Sequence, residues 1–166
     1  QAMGFCYTLM PAIRKFYRDD KSAQAAALKR HLEFYNTHPW VSSVVFGVTA
    51  AMEEQKAKGE DISEETITSV KVGLMGPLAG VGDPIFWGTA RPVLAALGAS
   101  LALNGSFLGP LLFFVGINLL RVLTRWYGLK FGYERGTEMV TEVGGGQLKK
   151  ITQMAAIMGL FVMGAL

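Results

Sequence analysis

The sequence predicts an all-α, polytopic integral membrane protein. Three observations carry this. Of the 166 residues 51% are hydrophobic and only 17% are charged. Residues 39–52, 92–120 and 151–166 contain no charged side chain at all. No stretch alternates polar and apolar residues as a half-buried strand would. The longest neutral run exceeds the roughly 20 residues that cross a bilayer, and Asn104-Gly105-Ser106 divides it into two helices joined by a turn. One such run fits a soluble core. Three in so short a chain, with Gly and Pro inside them, read as membrane segments.

The elements follow in order. Residues 1–18 form the end of an apolar helix that runs into Pro11 and the basic Arg14, Lys15 and Arg18. Asp19 and Asp20 can cap the next helix, KSAQAAALKRHLEFYN. In it Leu28, Leu32 and Tyr35 share a face while Lys29, Arg30 and Glu33 point elsewhere, the pattern of an amphipathic helix at an interface or on a partner. Asn36-Thr37-His38-Pro39 breaks it. The helix VSSVVFGVTAAMEEQKAKG stops at Gly59 as a C-cap. It pairs with EETITSVKVG, capped by Asp61 or Ser63, as a hairpin with a charged tip over 53–65. IFWGTARPVLAALGASLAL is a helix kinked near Arg91-Pro92. From Ser106 a long helix crosses the membrane and leaves it around 121–135. Gly144-Gly145-Gly146 is a flexible joint before a last apolar helix. Gln1 and Leu166 both sit inside apolar patterns, so a longer parent chain is expected. The whole of 1–166 reads as one membrane-embedded domain: an amphipathic part at 1–38, a hairpin and broken-helix core at 39–91, and transmembrane helices at 92–166.

The stretch GLMGPLAGVGDP, residues 73–84, is the densest signal. In water its glycines would be spaced by Ser, Asn and Lys, and an ordinary helix does not tolerate so many breakers. In a membrane, irregular backbone survives where protein buries it or where it lines a wet cavity, and transporters build substrate sites from broken helices. Gly76, Pro77, Gly80, Gly82 and Pro84 are therefore expected to form a re-entrant hinge, with Asp83-Pro84 starting a second half-helix. Asp83 either caps that helix or offers an acceptor to a substrate. Trp87 and Arg91 lie one and two turns beyond it, on the same face. A ring, an acid and a guanidinium suit a sugar, and equally a structural Asp–Arg contact. Glu53 and Glu54 read as a solvated tip, and His38 as a loop-holding histidine. Trp40, Trp126 and Tyr127 read as markers of the membrane boundary.

Several function classes drop out. GVGDP lacks the lysine of a phosphate loop, and no serine elbow, zinc-helix or paired Cys/His motif occurs. The single cysteine, Cys6, precludes an intrachain disulfide within this sequence. A formal charge of +3 is too small and scattered for nucleic acid. No catalytic residue, metal site or cofactor is expected. One acid without a partner histidine makes a poor proton relay, so proton-driven transport is the weakest reading.

NTHP at 36–39, KVGLMGPLAGVGDP at 71–84, WGTARP at 87–92 and the run ALGASLAL…GPLLFF…WYGLKFGY together resemble the enzyme IID component of mannose-family sugar phosphotransferase systems, over nearly the whole chain. The resemblance implies a multi-pass subunit of the bacterial inner membrane, paired with a IIC subunit as a trimer of IIC–IID pairs. It implies import of mannose, glucose, fructose or an amino sugar, with phosphate supplied by cytoplasmic IIA and IIB proteins and no phosphorylated residue in this chain. It also implies service as a bacteriocin receptor in some bacteria. Asp83 and its glycine loop match the family signature, and Glu53, Asn36 and His38 fall at matching positions. A scaffold that stabilises IIC and docks IIB through the basic residues of 121–135, without touching sugar, is the alternative.

Overall fold

The computed structural model describes residues 1–143. Its order is α1 (Ala2–Phe16), α2 (Lys21–Arg30), α3 (Ser42–Ala57), α4 (Glu64–Gly82), a π-helical segment (Asp83–Ala90), α5 (Arg91–Leu103) and α6 (Leu108–Val143), with no strand among the described residues. The joint at Gly144-Gly145-Gly146 and the last apolar helix lie outside them.

Two tiers result. The upper tier packs α1, α2, α3 and the first part of α4. Phe5, Leu9 and Ile13, spaced one turn apart on α1, are buried with Tyr35 and Val45. The lower tier is an apolar hairpin of α5 and the start of α6, and its large side chains face outward, Phe107 and Phe114 among them. The helical stretches Glu64–Leu103 and Leu108–Gly136 are each long and apolar enough to cross a membrane.

Local chemistry sets the boundaries. Asp20 accepts the Ala23 N–H and caps α2, and Ser63 rather than Asp61 caps α4 through the Thr66 N–H. Gly59, with φ 96°, ends α3 in the left-handed conformation that a side chain resists. Its N–H bonds Lys56 and the Glu60 N–H bonds Gln55, a Schellman closure. Gly105, with φ 76°, does the same after α5, with bonds to Ala102 and from Ser106 to Leu101. The expected turn at 104–106 is thus present.

Three expectations change. First, α2 ends at Arg30 instead of Asn36. Pro39 disfavours helix before it, and Tyr35 turns inward to meet Phe5 at 4.3 Å and Ser42 Oγ at 2.7 Å. Leu32 is exposed, while Arg30 is buried rather than solvated. Second, no re-entrant break occurs at Gly76, Pro77, Gly80, Gly82 and Pro84. Pro77 lies inside α4, and the rod continues helically to Leu103. Each proline here follows a glycine by four residues: Gly73–Pro77, Gly80–Pro84, Gly88–Pro92. A proline ring crowds the carbonyl four residues back, and a glycine there leaves the backbone room to tilt. Third, Asp83 is no N-cap. Its φ −64° and ψ −49° are helical, and its own N–H donates to the Ala79 carbonyl.

The tiers are joined by α6, whose second half lies along α3. The Gly47 Cα approaches the α6 backbone at Leu129, Gly132 and Tyr133, while Gly128, Gly132 and Gly136 meet Ser43, Val44 and Val48. In the lower hairpin Gly98 meets Gly109, and Leu94 packs on Gly116. Arg91 and Arg121, beyond that pairing, are both exposed. The level where the apolar hairpin meets the packed tier is a waist.

Candidate functional site at the waist

The waist is built from the 36–41 loop and the π-helical segment. The loop is tied to α4: Thr37 Oγ1 donates to the Met75 carbonyl at 2.8 Å, and the Asn36 N–H points at the Met75 sulfur at 3.1 Å. This fixes His38, which is 1% exposed, against Gly82. A Cβ at Gly82 would stand 2.6 Å from the imidazole, so only glycine admits the ring here. His38 stacks on Phe86 at 5.1 Å and 18°, and meets Trp87 at 5.0 Å and Trp40 at 5.8 Å. Trp40 in turn touches Phe86 and Trp87. The Arg91 guanidinium lies 5.2 Å over the Trp87 ring, a cation–π contact.

The imidazole Nδ1 accepts the Trp40 N–H at 3.3 Å, while Nε2 is buried without a hydrogen-bond partner. That bond sets the neutral tautomer with its proton on Nε2. Burial pushes the His38 pKa below its ordinary 6.5, against the opposing pull of the Asp83 carboxylate. Asp83 is exposed, and among the described residues no ion pair joins it to Arg91. The structure therefore gathers His38, Asp83, Trp87 and Arg91 at one place. Asn36 stays on the outer side of the loop, exposed.

Glu53 belongs elsewhere. It is not a solvated tip but wholly buried, 0% exposed, in the upper tier. The Tyr17 hydroxyl donates to Oε2 at 2.8 Å, Arg30 Nε reaches Oε1 at 3.0 Å and His31 Nε2 meets Oε1 at 2.8 Å. Arg30 also pairs with Glu64 at 3.0 Å, and Lys71 Nζ donates to the Arg30 carbonyl at 3.2 Å. The network welds α1, α2, α3 and α4. Burial alone would push the Glu53 carboxyl up; the His31 hydrogen bond, the Arg30 and His31 charges and the Tyr17 hydroxyl together outweigh it and hold the carboxyl below its ordinary 4.5. Glu54, its neighbour, pairs with Lys58 at 2.8 Å and accepts from the Tyr133 hydroxyl.

These shifts give an acid sequence. A histidine with a depressed pKa favours the folded state above its ordinary value, and that share fades as pH falls below 6.5. The depressed Glu53 contributes above 4.5 and is lost below it. Acidification is expected to loosen the waist first, read by tryptophan fluorescence, and the upper tier later, read by loss of helical circular dichroism. A single coincident transition would contradict this order.

Phe86 was not singled out by sequence reasoning, which read Trp40 as a boundary marker and Gly82 as a hinge rather than as the cradle of His38. The signals were His38-Pro39-Trp40 beside a Phe86-Trp87 pair, which only the fold brings together.

The all-helical architecture of the described residues, two helices long and apolar enough to cross a membrane, and the outward-facing apolar side chains of the hairpin fit the class of α-helical membrane proteins. Comparison with known proteins makes this specific: the family model for the PTS system mannose/fructose/sorbose family IID component matches residues 1–166, and the chain belongs to that family. It is 58% identical over its full length to the mannose-specific EIID component of Escherichia coli K12, covering 59% of that protein. It is 57% identical to the fructose permease IID component of Bacillus subtilis, covering 60% of it. The sorbose-specific EIID component of Klebsiella pneumoniae is likewise 57% identical, over 99% of this chain and 60% of that protein. The chain thus spans about three fifths of the relatives it matches. Among solved structures, the mannose transporter ManYZ in complex with Microcin E492 contains a chain with TM-score 0.93 and 58% identity, matching all of this chain and 61% of its own length.

Proposed function

We propose that this chain is part of the IID subunit of a sugar permease that pairs with a IIC subunit and carries a hexose across the bacterial inner membrane. Cytoplasmic IIA and IIB proteins phosphorylate the sugar, and IIC–IID pairs assemble as a trimer. The observation that carries the reading is the waist: an exposed carboxylate and an indole with a guanidinium stacked on it, backed by a buried neutral histidine. Such a set stacks on the apolar face of a sugar ring and hydrogen-bonds its hydroxyls. Asp83, Trp87 and Arg91 are its contact residues, and His38, 1% exposed, serves it by packing behind Trp87. Asn36 lies at its edge, and Glu53 serves it only by holding the upper tier. The mannose, fructose and sorbose specificities of the relatives support a hexose. The microcin in the related complex supports a bacteriocin-receptor role.

Sugar binding to the purified IIC–IID complex tests this, wild type against Asp83→Asn and Trp87→Ala, with assembly checked in parallel. Loss of the stacking ring is worth about 0.5–1.5 kcal/mol, a several-fold weaker affinity, and Asp83→Asn is expected to weaken it by about tenfold. Unchanged affinity in both variants, with intact complexes, would move the sugar to the partner subunit. One observation favours the scaffold reading instead: Arg121 and Arg125 are exposed, with no ion pair among the described residues, as a docking face for an acidic cytoplasmic partner would be.

A further inference from the structure

The waist exists because the rod is wound as a π-helix there. Each residue can be placed by its angle about the rod axis, counted from Gly82, whose absent Cβ would point at the His38 ring 2.6 Å away. With α winding, about 100° per residue, Phe86 would stand at about 40°, Trp87 at about 140° and Arg91 at about 180°, the far side. With the wider i→i+5 winding, about 82° per residue, Phe86 falls at about −32°, Trp87 at about 50° and Arg91 at about 18°. The observed contacts follow the second set. Phe86 and Trp87 both lie against His38, at 5.1 and 5.0 Å, and Arg91 sits 5.2 Å over Trp87.

The cause lies in the prolines. The π-helical segment covers Asp83–Ala90, and the Arg91 N–H bonds the Phe86 carbonyl, five residues back. Pro84 has no N–H to offer Gly80 in an α ladder, and its ring crowds that carbonyl. A step of five passes over the missing donor. Pro92 stands at the start of α5, where α winding resumes, and its own absent N–H keeps the ladder from re-forming backward to Gly88.

We propose that Pro84 is a positioning residue: it holds Asp83–Ala90 in the π register, and that register turns Trp87 and Arg91 onto the His38 face. As a sugar-positioning device this rests on the function proposed above; as a device that sets register it does not. Fluorine NMR on the full-length chain in its IIC complex tests it, with 5-fluorotryptophan incorporated and the Trp87 resonance assigned by Trp87→Phe. In Pro84→Ala the restored N–H allows α winding, and Trp87 leaves the rings of His38, Trp40 and Phe86. Its resonance is expected to shift, and its solvent isotope effect to rise toward that of an exposed indole. Pro92→Ala, which restores the donor at the other end, shifts it the same way and serves if Pro84→Ala does not assemble. A Trp87 resonance unchanged in an assembled Pro84→Ala complex, or in Pro92→Ala where the first variant fails, overturns the proposal.

Sugar affinity separates the two claims. Displacement of the binding ring is expected to weaken sugar binding several-fold in Pro84→Ala, as removing it does in Trp87→Ala. If the resonance moves while both variants bind sugar like wild type, the sugar reading falls and the register assignment stands.

Discussion

Glu53→Ala is expected to unfold the upper tier, at a cost of about 3–5 kcal/mol. The size of the effect comes from what the substitution leaves behind. The side chains of Arg30 and His31 are 5% and 1% exposed, and both point at one carboxylate oxygen. Without that oxygen, Arg30 keeps only the half-exposed Glu64 and cannot reach bulk water. The Tyr17 hydroxyl, whose pKa is raised chiefly by burial and then by Glu53, loses its acceptor as well. Glu53→Gln retains an oxygen for one of these donors and should cost less. Replacing Glu53 and Arg30 together by Leu and Met should cost less than the sum of the single changes, because no unpaired charge stays behind. Thermal unfolding of the detergent-solubilised protein measures all three. A Glu53→Ala protein that melts like wild type would show that water enters the cluster and that the weld is not what holds the tier together.

This residue also shows where sequence reasoning stops. Glu53 and Glu54 are adjacent on one helix and read identically as a charged tip. One turns into the core and the other outward, and the difference lies in Tyr17, Arg30 and His31 arriving from α1 and from the end of α2. Long-range partners of that kind leave no periodic trace. The helices themselves were legible, because caps and left-handed glycines are local: Asp20, Ser63, Gly59 and the 104–106 turn act on neighbours within four residues. The GLMGPLAGVGDP stretch was legible as unusual but not as to its form. Counting breakers predicts a break. Reading the four-residue spacing of each Gly–Pro pair explains a continuous rod, since each glycine sits where the proline ring needs room. The cluster at the waist, the candidate site, was half legible. Asp83, Trp87 and Arg91 share a face by spacing, whereas His38 and Trp40 join them only through the tertiary fold. Gly128, Gly132 and Gly136, four residues apart, carried the signature of close helix packing in plain view.

That glycine series yields the other large effect. At Gly132 a Cβ would run into the Val44 carbonyl, with the Val44 Cα 2.9 Å away. Across the seam, a Cβ at Gly47 would run into the α6 backbone, 2.8 Å from the Gly132 carbonyl carbon. Backbone cannot rotate out of the way, so α3 and α6 must separate along their shared length. Gly132→Ala and Gly47→Ala are each expected to destabilise by about 1–3 kcal/mol or more, despite alanine's better helix propensity. At Gly128 the obstacle is the Ser43 hydroxyl, the end of a side chain. It can turn aside, at the cost of its bonds to the Trp40 and Thr124 carbonyls, so the penalty there should be smaller. Apart from its own helix, Gly76 has nothing within 4 Å of its would-be Cβ, but Pro77 follows it and disfavours a helical residue with a side chain at that position, so Gly76→Ala should be close to neutral, short of the about 0.5–1 kcal/mol that backbone entropy alone would give. Melting temperatures of the four variants give the order, and a Gly132→Ala protein as stable as Gly76→Ala would refute the close α3–α6 seam. Gly76→Ala carries a second reading: if the isolated chain keeps its stability while the IIC complex weakens, the exposed side of α4 at Gly76 is where the partner's backbone comes close.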